Sequence, residues 1–132
     1  MTAASRSLAT APWGALRERL ALCYTTSWDT TGPGGDGTNP EQLFAAGYAA
    51  CFLSAVKLVA RTRKLVVANE ARVTASVGMG PVTVGYALEV ALKISLPNMD
   101  RETAQEVIDA AHERCPYSKA TRDNIAVTLT LV

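Results

Sequence analysis

Thr38-Asn39-Pro40-Glu41-Gln42-Leu43-Phe44-Ala45-Ala46-Gly47-Tyr48-Ala49-Ala50-Cys51-Phe52-Leu53-Ser54-Ala55-Val56 is the stretch on which the fold turns. Its entrance is written in helix-capping chemistry. Asn39 can accept from the first free backbone N–H groups, Pro40 suits the first helical position, and Gln42 stands where a capping box closes. From Leu43 to Val56 only Ser54 carries a strongly polar side chain. A helix that is apolar all round has to be enclosed rather than laid on a surface. Its one reactive group is the Cys51 thiol.

Outward from this helix the chain reads as a segregated α+β domain. The basic cluster Arg61, Arg63 and Lys64 suits a helix C-terminus, and residues 65–67 form a short turn back. Residues 71–77 alternate and include the β-branched Val73, Thr74 and Val77. Gly78-Met79-Gly80-Pro81 is read as the turn of a hairpin, after which Tyr86, Leu88, Val90, Leu92, Ile94 and Leu96 alternate along one face, opposite Glu89, Lys93 and Ser95. Pro97-Asn98-Met99-Asp100 ends that strand. Asp100 then caps an amphipathic helix to about Arg114, with Ala104, Val107, Ile108 and Ala111 inward and Gln105, Glu106 and Asp109 outward. Pro116 stops this helix directly after Cys115. Residues 125–132 form the last strand, with Ile125, Val127, Leu129 and Leu131 on one face.

Upstream, residues 16–24 read as a strand or as a short helix holding Arg17, Glu18 and Arg19, with the balance towards the strand. Residues 30–37 contain four glycines in eight positions and form a loop. A Gly-rich loop before a helix also suggests a phosphate cradle. No clear strand precedes it, however, and no Lys-Ser/Thr follows it as in a P-loop. The domain organisation is a divergent segment over residues 1–36 and a folded unit over 37–132, one domain overall.

Charge and composition exclude several classes of partner. Thirteen Lys and Arg face twelve Asp and Glu, for a formal charge of +1, with no run of like sign to attract nucleic acid or an anionic membrane. The longest apolar run falls short of the ~20 residues of a membrane span. A soluble, cytoplasmic protein is expected. Three widely spaced cysteines, Cys23, Cys51 and Cys115, are no disulfide framework of a small secreted domain and suit a reducing compartment. The first 25 residues are rich in Ala, Ser, Thr and Arg with Glu18 the sole acid, a composition shared with organellar transit peptides. With few strands to surround an all-apolar helix, a second copy is expected to complete its enclosure.

Taken as residues alone, Cys51 reads first as a small core hydrophobe. Cys115, at a helix end beside a proline, adds a second thiol that could move towards it. A fixed buried thiol and a mobile one are what a peroxidatic and a resolving cysteine need, and two unrelated core residues have the same spacing. A metal site has little support, since one His and three scattered Cys form no CxxC or HxxxH pair. His112 stands three residues before Cys115 and can be read as its base, or as a cation stabilising a helix C-terminus. No nucleophile elbow supports Ser-His-Asp hydrolysis.

The run from Gly37 to Phe52, with Ala111-His112 and Cys115-Pro116-Tyr117-Ser118-Lys119-Ala120-Thr121-Arg122-Asp123-Asn124-Ile125, closely resembles the organic hydroperoxide resistance (Ohr) branch of the OsmC/Ohr family. The resemblance covers about residues 37–132, including Gly78-Met79-Gly80-Pro81 and Ile94-Ser95-Leu96-Pro97. It implies an intertwined homodimer of antiparallel strands around long central helices. It implies a thiol peroxidase that reduces alkyl and fatty-acid hydroperoxides. Cys51 is then peroxidatic, Cys115 resolving through a Cys51–Cys115 disulfide, and Glu41 the family's arginine-holding acid. Phe44, Tyr48, Phe52 and Leu53 line an apolar approach. No bound cofactor is implied; the reductant is an external dithiol, a lipoyl group on a lipoylated protein.

In the family an arginine lowers the pKa of the reactive thiol from about 8.5. Residues 1–36 lack the expected Gly-Gly-Arg-Asp-Gly pattern, which leaves Arg6, Arg17 and Arg19 as unassigned candidates and Cys23 without a counterpart. Glu41 is also an ordinary acid for a first helical turn. Ten residues of straight helix put it roughly 15 Å from Cys51. Either the helix breaks near Gly47, or Glu41 acts across a dimer or through another side chain. Two other functions share this fold: a non-catalytic or weakly active homologue that binds a hydrophobic ligand or partner, and an OsmC-like enzyme of broader peroxide specificity.

Overall fold

The computed structural model describes residues 7–11, as backbone, and residues 39–132. The expected strand over 16–24, the glycine loop over 30–37, Cys23, and the candidates Arg6, Arg17 and Arg19 lie outside the described residues. The elements run β1 (Ser7–Ala11), α1 (Pro40–Thr62), β2 (Arg72–Pro81), β3 (Tyr86–Ser95), α2 (Arg101–Arg114), α3 (Pro116–Thr121) and β4 (Val127–Leu131). β1 falls within the 1–36 segment read as strand and loop, upstream of the 16–24 stretch.

α1 begins as its capping residues dictate. Asn39 holds an extended backbone, and its side-chain oxygen accepts from the Gln42 N–H at 2.8 Å, with Pro40 at the first helical position. At the other end Lys64 enters the left-handed region (φ 58°), so the Leu65 N–H returns to the Ala60 carbonyl at 2.8 Å and closes the last turn. By length and composition this helix, whose most apolar 18-residue window has a mean hydropathy of 1.8, could cross a membrane, but half of that window is buried inside the chain's own fold. Ala45, Tyr48, Ala49, Phe52, Val56 and Val59 all turn inward. The opposite side is only partly covered, with Leu58 half-exposed at 51%.

The inner face of the sheet receives the helix. β2 and β3 pair antiparallel with Val73 opposite Ile94, Ala75 opposite Leu92 and Val77 opposite Val90, and all six are buried. Period-2 alternation reads correctly here, because a slip of one residue would turn all of them to solvent. The turn does not fall where the glycines suggest. β2 continues through Gly78-Met79-Gly80-Pro81, paired as far as Pro81 opposite Tyr86, and the chain reverses over residues 82–85. Gly85 supplies the left-handed conformation the reversal needs (φ 81°). Gly78 serves packing instead, since a Cβ there would stand 2.8 Å from the Glu89 carboxylate folded over it from β3.

The sheet order is β1-β2-β3-β4. Antiparallel strands are expected throughout, and β1, β2 and β3 are antiparallel; β4 joins β3 in parallel. Two helices between β3 and β4 return the chain to the starting end of the sheet, so it re-enters in the same direction. α2 starts at Asp100, whose carboxylate accepts from the Thr103 N–H at 2.9 Å, and buries Ala104, Val107, Ile108 and Ala111, the four residues its periodicity selects. Pro116 does stop α2, but it also opens α3 as a first-turn proline, with Cys115 as the one-residue joint.

Ile94 is fully buried at the sheet–helix contact. Ile94→Ala is expected to lower unfolding free energy by about 3 kcal/mol in urea denaturation, with Lys93→Ala within about 0.5 kcal/mol of wild type.

Candidate active site

Cys51 lies on the margin of α1, between its buried face and its open one, and the α2–α3 joint crosses it there. The Cys115 Sγ donates to the Cys51 Sγ at 3.5 Å, and both cysteines are free thiols. Cys115 is fully buried and Cys51 half-buried. The expected loop mobility of Cys115 is replaced by a bonded joint. Its N–H goes to the Ala111 carbonyl at 2.8 Å and its carbonyl accepts from the Lys119 N–H at 2.9 Å. A disulfide needs the sulfurs at about 2.05 Å, so roughly 1.5 Å of approach separates the contact from a bond.

Close crossing of the helices depends on Gly47, one turn before Cys51. A Cβ at Gly47 would meet the Tyr117 hydroxyl at 2.9 Å and its ring at 3.2 Å. The Tyr117 ring occupies that space, with centroids 6.0 Å from Phe44 and 5.7 Å from Tyr48. This seating directs the Tyr117 backbone N–H to the Cys51 thiol. Burial pushes the Cys51 pKa up; the Tyr117 N–H acts against that, and the Cys115 thiol adds to it. Among the described residues no cation contributes to Cys51.

A buried polar chain braces the same joint. The Tyr48 hydroxyl donates to the Ser118 Oγ at 2.9 Å, and the Ser118 Oγ lies 2.9 Å from His112 Nδ1. The Thr121 hydroxyl stands 3.2 Å from Tyr48 Oη and donates to the Tyr117 carbonyl at 3.0 Å. Tyr48 and Ser118 are fully buried. His112, in the last turn of α2, thus spends its Nδ1 on Ser118. Burial, and then the Arg122 guanidinium, hold its pKa below the ordinary 6.5. Arg122 itself donates to the His112 carbonyl at 3.0 Å and pairs with Glu113 at 3.5 Å.

Cys51 and Cys115 are thus brought together as expected. Phe44 lies beside Tyr117 near the thiols, whereas Tyr48 and Phe52 are fully buried, Phe52 with its ring 6.4 Å from the His112 ring. Glu41 is half-buried in the first turn of α1, which runs unbroken past Gly47, so the break is excluded and the separation of roughly 15 Å from Cys51 stands. The sequence reading overlooked Ser118 and Thr121. The signal for them was Pro116, a helix-opening residue that puts positions 118 and 121 on one face. Among the described residues no cluster of His, Cys, Asp and Glu could hold a metal ion.

Residues 32–130 match the family described as OsmC-like protein. An organic hydroperoxide resistance protein of Xanthomonas axonopodis pv. citri is 53% identical over 107 residues, which cover 81% of this chain and 75% of that protein. The crystal structure of the organic hydroperoxide resistance protein OhrB of Bacillus subtilis superposes with a TM-score of 0.71 at 46% identity, over 75% of this chain and 73% of that one. That of an organic hydroperoxide resistance protein from Elizabethkingia anophelis, with thiocyanate bound, gives 0.70 at 48% identity, over 76% and 71%.

The lowered pKa of His112 fixes the sign of a pH effect. The unfolded chain takes up the proton first as pH falls, so stability present above about pH 6.5 is lost as pH drops through the folded-state pKa. Melting temperature is expected to fall on acidification from pH 7 to about 5, and by less in His112→Gln than in wild type.

Proposed function

This chain belongs to the OsmC-like family, in its organic hydroperoxide resistance branch, and on that premise we propose that it is a thiol peroxidase that protects against organic hydroperoxides. The observation that carries this reading is the Cys51–Cys115 contact at 3.5 Å. The Cys51 thiolate attacks the peroxide. The O–O bond breaks, the alcohol leaves after taking up a proton, and Cys51 becomes a sulfenic acid. Its condensation with Cys115 forms the disulfide and releases water. An external dithiol, a lipoyl group on a lipoylated protein, restores both thiols by exchange.

Alkyl and fatty-acid hydroperoxides suit the apolar surroundings. Phe44 and the partly exposed Tyr117 flank the approach along α1, with Tyr48 and Phe52 packed behind them. The partly covered side of α1 with Leu58 favours a homodimer, which also offers Glu41 a route to the partner's thiol.

A weakly active homologue is a second reading, and one observation favours it. Burial raises the Cys51 pKa, and among the described residues no cation offsets it. Arg6, Arg17 and Arg19 are the candidates to do so in the first reading.

Stopped-flow mixing with an alkyl hydroperoxide and dihydrolipoamide is the direct test. Wild type should turn over, Cys51→Ser should consume no peroxide, and equal rates in both would sink the proposal. Iodoacetamide alkylation of Cys51 against pH separates the two readings. A midpoint well below about 8.5 supports the peroxidase, and one at or above it supports the weak homologue.

A further inference from the structure

The chain Tyr48–Ser118–His112 touches neither sulfur, yet it ties together the three helices that meet at them. Tyr48 stands on α1, three residues before Cys51; His112 is on α2, three before Cys115; Ser118 is on α3, three after it. Helical residues three apart are neighbours on one face, which sets Tyr48 beside Cys51, while His112 and Ser118 flank Cys115 at the ends of the two helices it joins. Both hydrogen bonds are 2.9 Å, and Tyr48 and Ser118 are fully buried, which shields the bonds from competition by water. α3 has only six residues and no side-chain cap at its start, so little within it fixes where its first residue lies. Its hold on α1 comes from this chain, from Thr121 and from the Tyr117 ring on Gly47.

We propose that Tyr48, Ser118 and His112 form a buried clasp that positions Cys115 against Cys51, making Tyr48 and Ser118 positioning residues for the resolving step. The inference rests on the peroxidase reading for the oxidant, since a hydroperoxide supplies the sulfenic acid. In the step itself the S–O bond of the Cys51 sulfenic acid breaks as the S–S bond forms, and the hydroxyl leaves as water with the Cys115 proton. A thiol already held in contact pays little entropy to react. Releasing the clasp lets α3 drift, which lowers the effective concentration of Cys115 at Cys51. Oxidation of Cys51 by peroxide is untouched, so the sulfenic acid survives longer and a second peroxide converts it to the sulfinic acid.

The test uses the full-length protein with Tyr48→Phe, which keeps the ring and removes only the hydroxyl, and Ser118→Ala as the second variant. After a pulse of one equivalent of cumene hydroperoxide, the rate of disulfide formation should fall about tenfold in either variant, the scale of one buried hydrogen bond. In Ser118→Ala, which lies outside the hydroperoxide approach, sulfenic-acid formation should stay within about twofold of wild type. Intact mass after excess peroxide should show more sulfinic product. In a graded reduced/oxidised dithiothreitol buffer, which needs no peroxide, the Cys51–Cys115 disulfide should be correspondingly less favoured in the variants. If wild type forms no Cys51–Cys115 disulfide in that buffer, the paired-thiol reading falls and the clasp with it. If wild type forms it and Tyr48→Phe matches wild type in condensation rate and in equilibrium, the clasp alone is overturned, whether or not Ser118→Ala folds. A loss shared equally by both chemical steps in Ser118→Ala would mark a structural role only and also overturn it.

Discussion

The constraint behind the whole arrangement is the burial of α1. Twenty-three residues of apolar helix expose enough hydrocarbon that the rest of the chain has to be spent on covering it. The sheet takes one side with the inward residues of β2 and β3, and their pairing fixes the register, because a slip of one would strip the helix of its cover. α2 takes a second side with Ala104, Val107, Ile108 and Ala111. Among the described residues, a seam along Gly47 and Cys51 is closed by a stub of helix and an aromatic ring.

That seam explains why the two thiols meet there. A thiol in the middle of the buried face would be inert packing, and on the open face it would be wet. At the margin it is partly desolvated and within reach of the α2–α3 joint. Desolvation raises its pKa and the Tyr117 N–H counters part of the effect. The flank of α1 at Leu58 stays only partly covered.

Where local signals and tertiary pairing disagreed, pairing prevailed. Gly78-Met79-Gly80-Pro81 has the composition of a turn, yet the ladder to β3 runs through it, because Gly78 leaves room for Glu89 and the reversal is made by Gly85. Pro116 has the look of a terminator, and it ends one helix by starting another. His112 looks like a helix-end cation, but burial and Arg122 favour its neutral form. The strand pairing and the neutral form of His112 depend on neighbours further along the chain, which periodicity and capping rules do not see.

Resemblance to a known family singled out the pair Cys51 and Cys115; the sequence by itself determined α1 and its cap, the alternating faces of β2 and β3, and the inward face of α2. These follow from local rules: a 3.6-residue or two-residue period and a side chain accepting from its own helix start act within a few residues. Only the tertiary structure decided that the two sulfurs stand 3.5 Å apart, that β4 runs parallel to β3, and that Tyr48 reaches seventy residues along the chain to Ser118. Those are consequences of how the chain closes around one helix, and distance between sequence positions carries no information about them until the core is packed.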